Sequence, residues 1–168
     1  MYSSYNYSTV SNFFTNPLKK NIKTDNNITD NRIKTFKYLA SSSFVNNKQS
    51  YKSLTKIIEN PNLWGPKLWL KIHLMSIDYY DKPTVYQKKW KLTQISKLPS
   101  VIPCQICSKD TLKYISNNID LLYEALESRQ KLILFFFNFH NYVNNKLGKN
   151  LLQLDEFKNM YNIGWILN

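Results

Sequence analysis

Apolar residues recur at helical spacing from Pro61 to the end of this 168-residue chain, and this pattern constrains the fold more than any other feature. They form four longer segments joined by short loops, without the alternation that marks β-strands. Helices joined by short loops pack as antiparallel neighbours. The sequence therefore predicts an all-α fold, an antiparallel four-helix bundle with a short additional C-terminal helix, whose core is a place to bind a cofactor.

Capping and stop residues indicate where these helices begin and end. Thr84 and Gln87 have the spacing of a capping box, and Gly148 is a typical stop after a helix. Pro66 suits a first turn, whereas Pro99 is expected to end the second helix and open a loop. The predicted helices run over about 65–80, 84–98, 104–115, 120–126 and 128–147, and a last short one begins at 155.

Two regions of different composition are predicted. Residues 1–60 are rich in Asn, Ser, Lys and Tyr and show no sustained period, so we expect a mobile extension, with a short helix at most in 33–45 or 51–58. Residues 61–168 form the folded domain. No apolar run approaches the roughly 20 residues that span a bilayer, and no secretory signal is evident.

The chain is basic, but the charge is spread out. A net charge of +12 arises from 23 Lys and Arg against 11 Asp and Glu, and it divides evenly between residues 1–60 and 61–168. No cluster resembles a phosphate-binding groove, so we expect no specific nucleic-acid partner.

The two cysteines of the chain, Cys104 and Cys107, form a C-x-x-C pair directly after Pro103. On the first turn of a helix both sulfurs lie on the same side, and the helix N-terminus favours the thiolate form. This predicts a redox-active dithiol. The alternatives are inert buried cysteines, a thioredoxin-type exchanger, and a noncatalytic zinc-binding scaffold in which His73 and His140 complete a Cys2His2 set.

A polar stripe on the fourth helix accompanies the cysteine pair. His140 and Asn144 share one helix face, and Lys146 and Lys149 follow at the helix end. Taken alone, this stripe is most simply explained by a core histidine and solvent-facing amides.

The cysteine pair and the polar stripe belong to a set of three motifs that follow one another along the chain. They are Trp64-Gly65-Pro66-x-x-Trp69-x-x-x-His73, then Pro103-Cys104-x-x-Cys107, then His140-Asn141-x-Val143-Asn144-x-Lys146-Leu147-Gly148-Lys149. Together they resemble the Erv/ALR family of FAD-dependent sulfhydryl oxidases over about residues 61–165, and within it the enzymes of large cytoplasmic DNA viruses. The resemblance implies a helical bundle with FAD at its mouth, usually in a homodimer.

The resemblance also implies a set of functional residues. Cys104 and Cys107 would be catalytic, and no metal is expected. The FAD-binding positions would be Gly65, Lys67, Trp69, His73, Tyr79, His140, Asn141, Val143, Asn144, Lys146, Leu147, Lys149 and Tyr161. Aromatic rings suit stacking on the cofactor, and lysines suit its pyrophosphate.

The chain departs from the family pattern at three points. Pro66 follows the Trp-Gly step, where the family has arginine or a variable residue. In an ungapped match to cellular members of the family, Asp78 occupies the position of a flavin-contacting tyrosine. The tyrosine pair after the first helix, Tyr79 and Tyr80, begins one residue later. No further cysteine is present, so a substrate must reach Cys104 directly.

The implied reaction is disulfide formation in protein dithiols, with electrons passing through the C-x-x-C pair and FAD to O2 to give H2O2. A thioredoxin-like relay or virion proteins would be the substrates. A viral enzyme would act in the host cytoplasm or the virion, whereas a cellular one would sit in the mitochondrial intermembrane space.

Overall fold

The computed structural model describes residues 25–41 and 60–167. Within these two ranges the chain forms helices and no β-strand, which confirms the all-α prediction. The helices are α1 (Asn26–Ser41), α2 (Pro61–Ile77), α3 (Val85–Ser96), α4 (Leu98–Val101), α5 (Gln105–Asn117), α6 (Ile119–Ala125), α7 (Arg129–Lys146) and α8 (Leu154–Tyr161). None of them is long and apolar enough to cross a membrane.

Local sequence signals explain several of the helix ends. Thr84 and Gln87 form the predicted capping box, and Ser128 accepts a hydrogen bond from the N–H of Lys131 at the start of α7. Gly148 has a φ of 64°, a backbone conformation that glycine adopts without steric cost. The loop expected after Pro99 is instead partly helical, because proline is tolerated in the first turn of α4.

The bundle core forms where α2, α3, α5 and α7 face one another, with α6 beside α7. Phe136 and Phe139 of α7, Ile72 of α2 and Ile95 of α3 are at most 2% exposed within one apolar cluster. These residues recur at helical spacing in the sequence, and their predicted burial is confirmed. The same spacing also predicts that Tyr86 and Trp90 of α3 and Leu147 after α7 face inward, but they are 76%, 57% and 54% exposed.

Helix α1 packs on the bundle, whereas the sequence predicted a mobile extension for this segment. Phe36 is completely buried in the core cluster. Arg32 Nη1 lies 2.7 Å from Asp120 Oδ1, and the hydroxyl of Thr29 donates to the other oxygen of that carboxylate at 2.8 Å. These partners are distant in sequence, so the periodicity of α1 alone did not reveal them. The expected mobility of 1–24 and the possible helix over 51–58 lie outside the described residues.

Helix α8 covers the outer side of α7 with a second apolar cluster. Phe157 of α8 is completely buried against Ile133 and Phe137 of α7. The chain after α8 folds back through Ile163 and Leu167, which belong to the same cluster. This arrangement places the ring of Tyr161, at the end of α8, 5.3 Å from that of His73 on α2.

Candidate active site

Cys104 and Cys107 form a disulfide at the N-terminus of α5. Cys104 is the N-cap residue, and its Sγ accepts a hydrogen bond from the N–H of Cys107 at 3.2 Å. The hydroxyl of Ser108 donates to the carbonyl oxygen of Pro99 at 2.6 Å, which ties this turn to α4. The pair therefore lies at a well-anchored helix start, and both cysteine residues are half-buried.

A cavity of about 540 Å³ opens beside this disulfide, between the first half of α2, the start of α5 and the end of α7. This volume lies in the range of small-molecule binding sites. Cys107 lines the cavity, whereas Cys104 does not. Most other residues predicted to bind a cofactor also line it, namely Gly65, Trp69, His140, Val143, Asn144, Lys146, Leu147, Lys149 and Tyr161.

Two histidines and a tryptophan form a stack at the back of the cavity. The rings of Trp69 and His140 lie 3.9 Å apart and nearly parallel. His140 Nδ1 is 2.9 Å from Nε2 of His73, which is completely buried behind it and does not line the cavity. His73 thus holds the ring of His140 in place, and its own Nδ1 has no hydrogen-bond partner among the described residues.

Burial keeps both histidines neutral. Burial, and secondarily the neighbouring His140, lowers the pKa of His73 to about 3. Burial, and secondarily the charge of Lys149, lowers the pKa of His140 to about 4. At neutral pH one ring therefore donates the shared hydrogen bond and the other accepts it, without a net charge on the pair.

The cationic side of the cavity lies at its mouth. Lys146 forms an ion pair with Asp110 of α5, and this hydrogen bond raises the pKa of Lys146. The turn at Gly148 brings Lys149 back over the helix end, where its N–H donates to the carbonyl of Asn144 at 2.9 Å. Both ammonium groups are well placed to meet an anionic ligand such as a pyrophosphate.

Besides His73, three predicted cofactor residues do not reach the cavity, each for a separate reason. The side chain of Asn141 is buried and pairs with both the N–H and the carbonyl of Leu152, at 2.8 and 2.9 Å, so it fixes the loop before α8. Lys67 is exposed and borders a neighbouring groove between α2 and α3. Tyr79 lies at the opposite end of the bundle.

Tyr79 is a structural residue in this fold. It is 1% exposed, its hydroxyl donates to the carbonyl of Leu126 at 3.0 Å, and its own carbonyl accepts from Arg129 Nε at 2.6 Å. Burial, and secondarily the charge of Glu127, raises the pKa of Tyr79 to about 12. Asp78, the other candidate at this step of the sequence, is exposed and does not line the cavity either.

The cavity also contains residues that the sequence reasoning missed. Asp110 and Thr111 follow Cys107 at three and four residues on α5, so helical spacing from the cysteine could have found them. Tyr142 lines the cavity from α7, and its ring lies 4.7 Å from that of Tyr114. The remaining missed lining residues are Pro61, Asn62, Trp64, Pro66, Leu68, Ile72, Ile102, Ile106, Phe139 and Met160.

The zinc alternative finds no site in the described part of the chain. No three His, Cys, Asp or Glu side chains of residues 25–41 and 60–167 converge as metal ligands. The two sulfurs are bonded to each other, and the two histidines bond to each other instead of turning toward them. The cysteines and histidines therefore do not form the Cys2His2 set that the scaffold hypothesis requires.

Comparison with known proteins gives consistent matches. The sequence profile of the Erv1/Alr family matches residues 66–162. Protein 096R of Invertebrate iridescent virus 3, which is named for FAD-linked sulfhydryl oxidase activity, is 35% identical over 91 residues, covering 54% of this chain and 60% of that protein. An FAD-linked sulfhydryl oxidase of African swine fever virus is 31% identical over 98 residues, covering 58% of this chain and 79% of that protein.

The fold has a solved counterpart. The crystal structure of the yeast Erv1 core superposes with a TM-score of 0.55 and 26% sequence identity, over 73% of this chain and 98% of that one.

Proposed function

Since this chain belongs to the Erv1/Alr family, we propose that it is an FAD-dependent sulfhydryl oxidase that forms disulfides in protein dithiols. One observation carries the proposal: the Cys104–Cys107 disulfide has one sulfur on the wall of a cofactor-sized cavity and the other outside it. A scaffold protein would have no need of this division. A thiol oxidase needs it, because one sulfur must meet the substrate while the other meets the electron acceptor.

The cavity suits FAD by the chemistry of its walls. Trp69, His140 and Tyr142 offer ring faces on which a flat ring system stacks, and Asn144 offers an amide for a polar ring edge. Lys146 and Lys149 stand at the mouth for the pyrophosphate. When bound, FAD supplies two-electron redox chemistry and passes the electrons to O2, giving H2O2.

The two cysteines carry out the exchange with the substrate. A substrate thiolate attacks Sγ of Cys104, forming an intermolecular disulfide and releasing Cys107 as a thiolate. The second substrate thiolate then attacks the substrate sulfur of this bond, which completes the substrate disulfide and releases Cys104. The protein dithiol now holds the two electrons taken from the substrate. The net reaction consumes one dithiol and one O2 and yields one disulfide and one H2O2.

The protein environment favours both steps. The N-terminus of α5 favours a thiolate at this pair, because Cys104 is the N-cap residue, its Sγ accepts the N–H of Cys107, and Cys107 lies in the first turn near the positive end of the helix dipole. The neutral histidine pair leaves the aromatic wall uncharged at the operating pH, so the positive charge is concentrated at the mouth of the cavity. This separation matches a cofactor whose ring is apolar and whose diphosphate is anionic.

The family and its relatives support a proposal for the partners and the compartment. Protein dithiols are the substrates, in the form of a thioredoxin-like relay or virion proteins, and O2 is the acceptor. The protein forms a homodimer. The similarity to proteins of an iridovirus and of African swine fever virus supports a viral enzyme of the host cytoplasm or the virion. The similarity to the yeast Erv1 core is equally compatible with the mitochondrial intermembrane space.

An absorbance spectrum followed by oxygen consumption tests the function. The purified protein, supplied with FAD, should show a flavin spectrum, and it should consume O2 on addition of dithiothreitol. Catalase should return half of that O2 if the product is H2O2. A protein that stays colourless with added FAD and consumes no O2 would overturn the proposal.

A further inference from the structure

The exposed surface around Cys104 combines apolar and basic side chains. Val101 and Ile106 flank Cys104 in the sequence and are 53% and 73% exposed. Three exposed lysines lie on the same elements. We name this region the disulfide-side surface, and it consists of Lys97, Val101, Pro103, Ile106, Lys109 and Lys113.

The residues of this surface are neighbours through helix geometry and a shared groove. Ile106, Lys109 and Lys113 are spaced by three and four residues on α5, so they share one face of that helix. Lys97 and Val101 line one groove beside α4. Ile106 also lines the cavity that holds Cys107, so the surface is continuous with the active site.

The charge of this region is strongly one-sided. Between residues 97 and 119 the sequence contains three lysines, Lys97, Lys109 and Lys113, and one acidic residue, Asp110. That carboxylate forms an ion pair with Lys146, so it does not offset the lysines of the disulfide-side surface. A positive field therefore surrounds the sulfur that a substrate must reach, and it acts on any partner that approaches Cys104.

We propose that the disulfide-side surface docks acidic dithiol proteins, in which Asp or Glu residues and an apolar side chain stand beside the reactive cysteine. This inference rests on the proposed function and names its substrate class. The apolar side chain covers Val101 and Ile106, and the carboxylates meet Lys97, Lys109 and Lys113. A second copy of this chain is a poor occupant, because it would bring the same lysines face to face.

Docking in this way speeds the encounter and selects the substrate. Opposite charges raise the association rate, and the effect weakens as salt screens it. Dithiothreitol is small and uncharged, so it reaches Cys104 without using the surface. The oxidation of dithiothreitol therefore does not depend on the disulfide-side surface, whereas the preference among protein dithiols does.

Two synthetic dithiol peptides test this inference. They share cysteines and apolar residues and differ only in Glu or Lys at the flanking positions. For the FAD-loaded protein at low ionic strength, kcat/KM should be at least about tenfold higher for the Glu peptide than for the Lys peptide, each normalised to dithiothreitol. In about 1 M salt, where screening acts over roughly 3 Å, the preference should disappear.

A charge-reversal pair locates the effect. The double variant Lys109→Glu/Lys113→Glu should invert the preference between the two peptides. The control Lys82→Glu/Lys89→Glu changes the net charge equally on exposed positions outside this surface and should keep the wild-type preference. An enzyme that oxidises dithiothreitol but treats both peptides alike, or a reversal variant that keeps the preference, overturns this inference alone. An enzyme that oxidises no dithiol overturns the proposed function and this inference with it.

Discussion

The two ends of the bundle are built from similar aromatic and polar residues but use them differently. At the disulfide end, Trp69 and His140 line a cavity, and the lysines beside them are exposed. At the opposite end, Tyr79 is fully buried, and both its hydroxyl and its carbonyl are hydrogen-bonded within the protein. The comparison teaches that a tyrosine or a histidine in a motif becomes a ligand only where the packing leaves space beside it.

The disulfide end should respond to mutation through activity. We expect Cys107→Ser to lower the rate of dithiothreitol oxidation by more than about a thousandfold, because the serine cannot accept electrons from the substrate or pass them on. FAD binding should persist, since one small atom changes on the wall of the cavity. Oxygen consumption and the bound flavin spectrum measure the two properties.

Cys104→Ser provides the matched control for that prediction. It removes the sulfur outside the cavity and should block substrate exchange equally well. If the Cys107→Ser variant kept substantial turnover while Cys104→Ser did not, the assignment of Cys107 as the sulfur facing the cofactor would be wrong.

Lowering the pH should lower the unfolding free energy, because the two histidines at the disulfide end are buried in their neutral form. The pKa values of His73 and His140 are about 3 and about 4, below the 6.5 of an unfolded histidine. The unfolded chain therefore binds more protons below pH 6.5, and stability is fully present above that pH. As the pH falls toward 4, each histidine should remove up to about 1.4 kcal/mol of unfolding free energy per pH unit.

Urea unfolding at pH 7 and pH 5 measures this effect. The chain contains only these two histidines, so no other imidazole contributes in this window. Replacing His140 by Gln should reduce the slope by about half. Equal stability at both pH values would contradict the burial of a neutral pair.

The opposite end should respond through stability alone. We expect Tyr79→Phe to lower the unfolding free energy by about 1 kcal/mol, because the buried carbonyl of Leu126 loses its donor. FAD content and oxidation of dithiothreitol should stay at wild-type values, since Tyr79 does not line the cavity. Loss of bound FAD in this variant, at unchanged stability, would show that Tyr79 acts as the family pattern implied.

Local signals predicted the helices well because they act over a few residues. The capping box at Thr84 and the stop at Gly148 fall where the structure has them. The C-x-x-C pair was expected on a first turn and lies there. Most predicted cofactor positions line one cavity. Many residues of the motifs on α2 and α7 are three or four positions apart, and this spacing places them on one face of each helix.

The sequence does not reveal contacts with distant partners. Asn141 has the sequence context of a ligand, whereas in the structure its amide bonds the backbone of Leu152 and it does not line the cavity, so its contact with FAD stays a prediction. Residues 26–41 were expected to belong to a mobile extension with a short helix at most, yet Phe36 fills a place in the core and Arg32 forms an ion pair with Asp120. Contacts of this kind join positions far apart in the chain, and periodicity contains no information about them.

The sequence by itself determined most helices of residues 61–168, the capping box at Thr84 and the position of two cysteines on one helix start, because hydrophobic spacing and backbone hydrogen bonding are local properties. Only the tertiary structure decided that Cys107 lines the cavity while Cys104 does not, that His73 supports His140 from behind, and that Tyr79 is buried at the other end. Each of these depends on which neighbouring helix fills the adjoining space, and close packing leaves a cavity only where no side chain from another helix reaches.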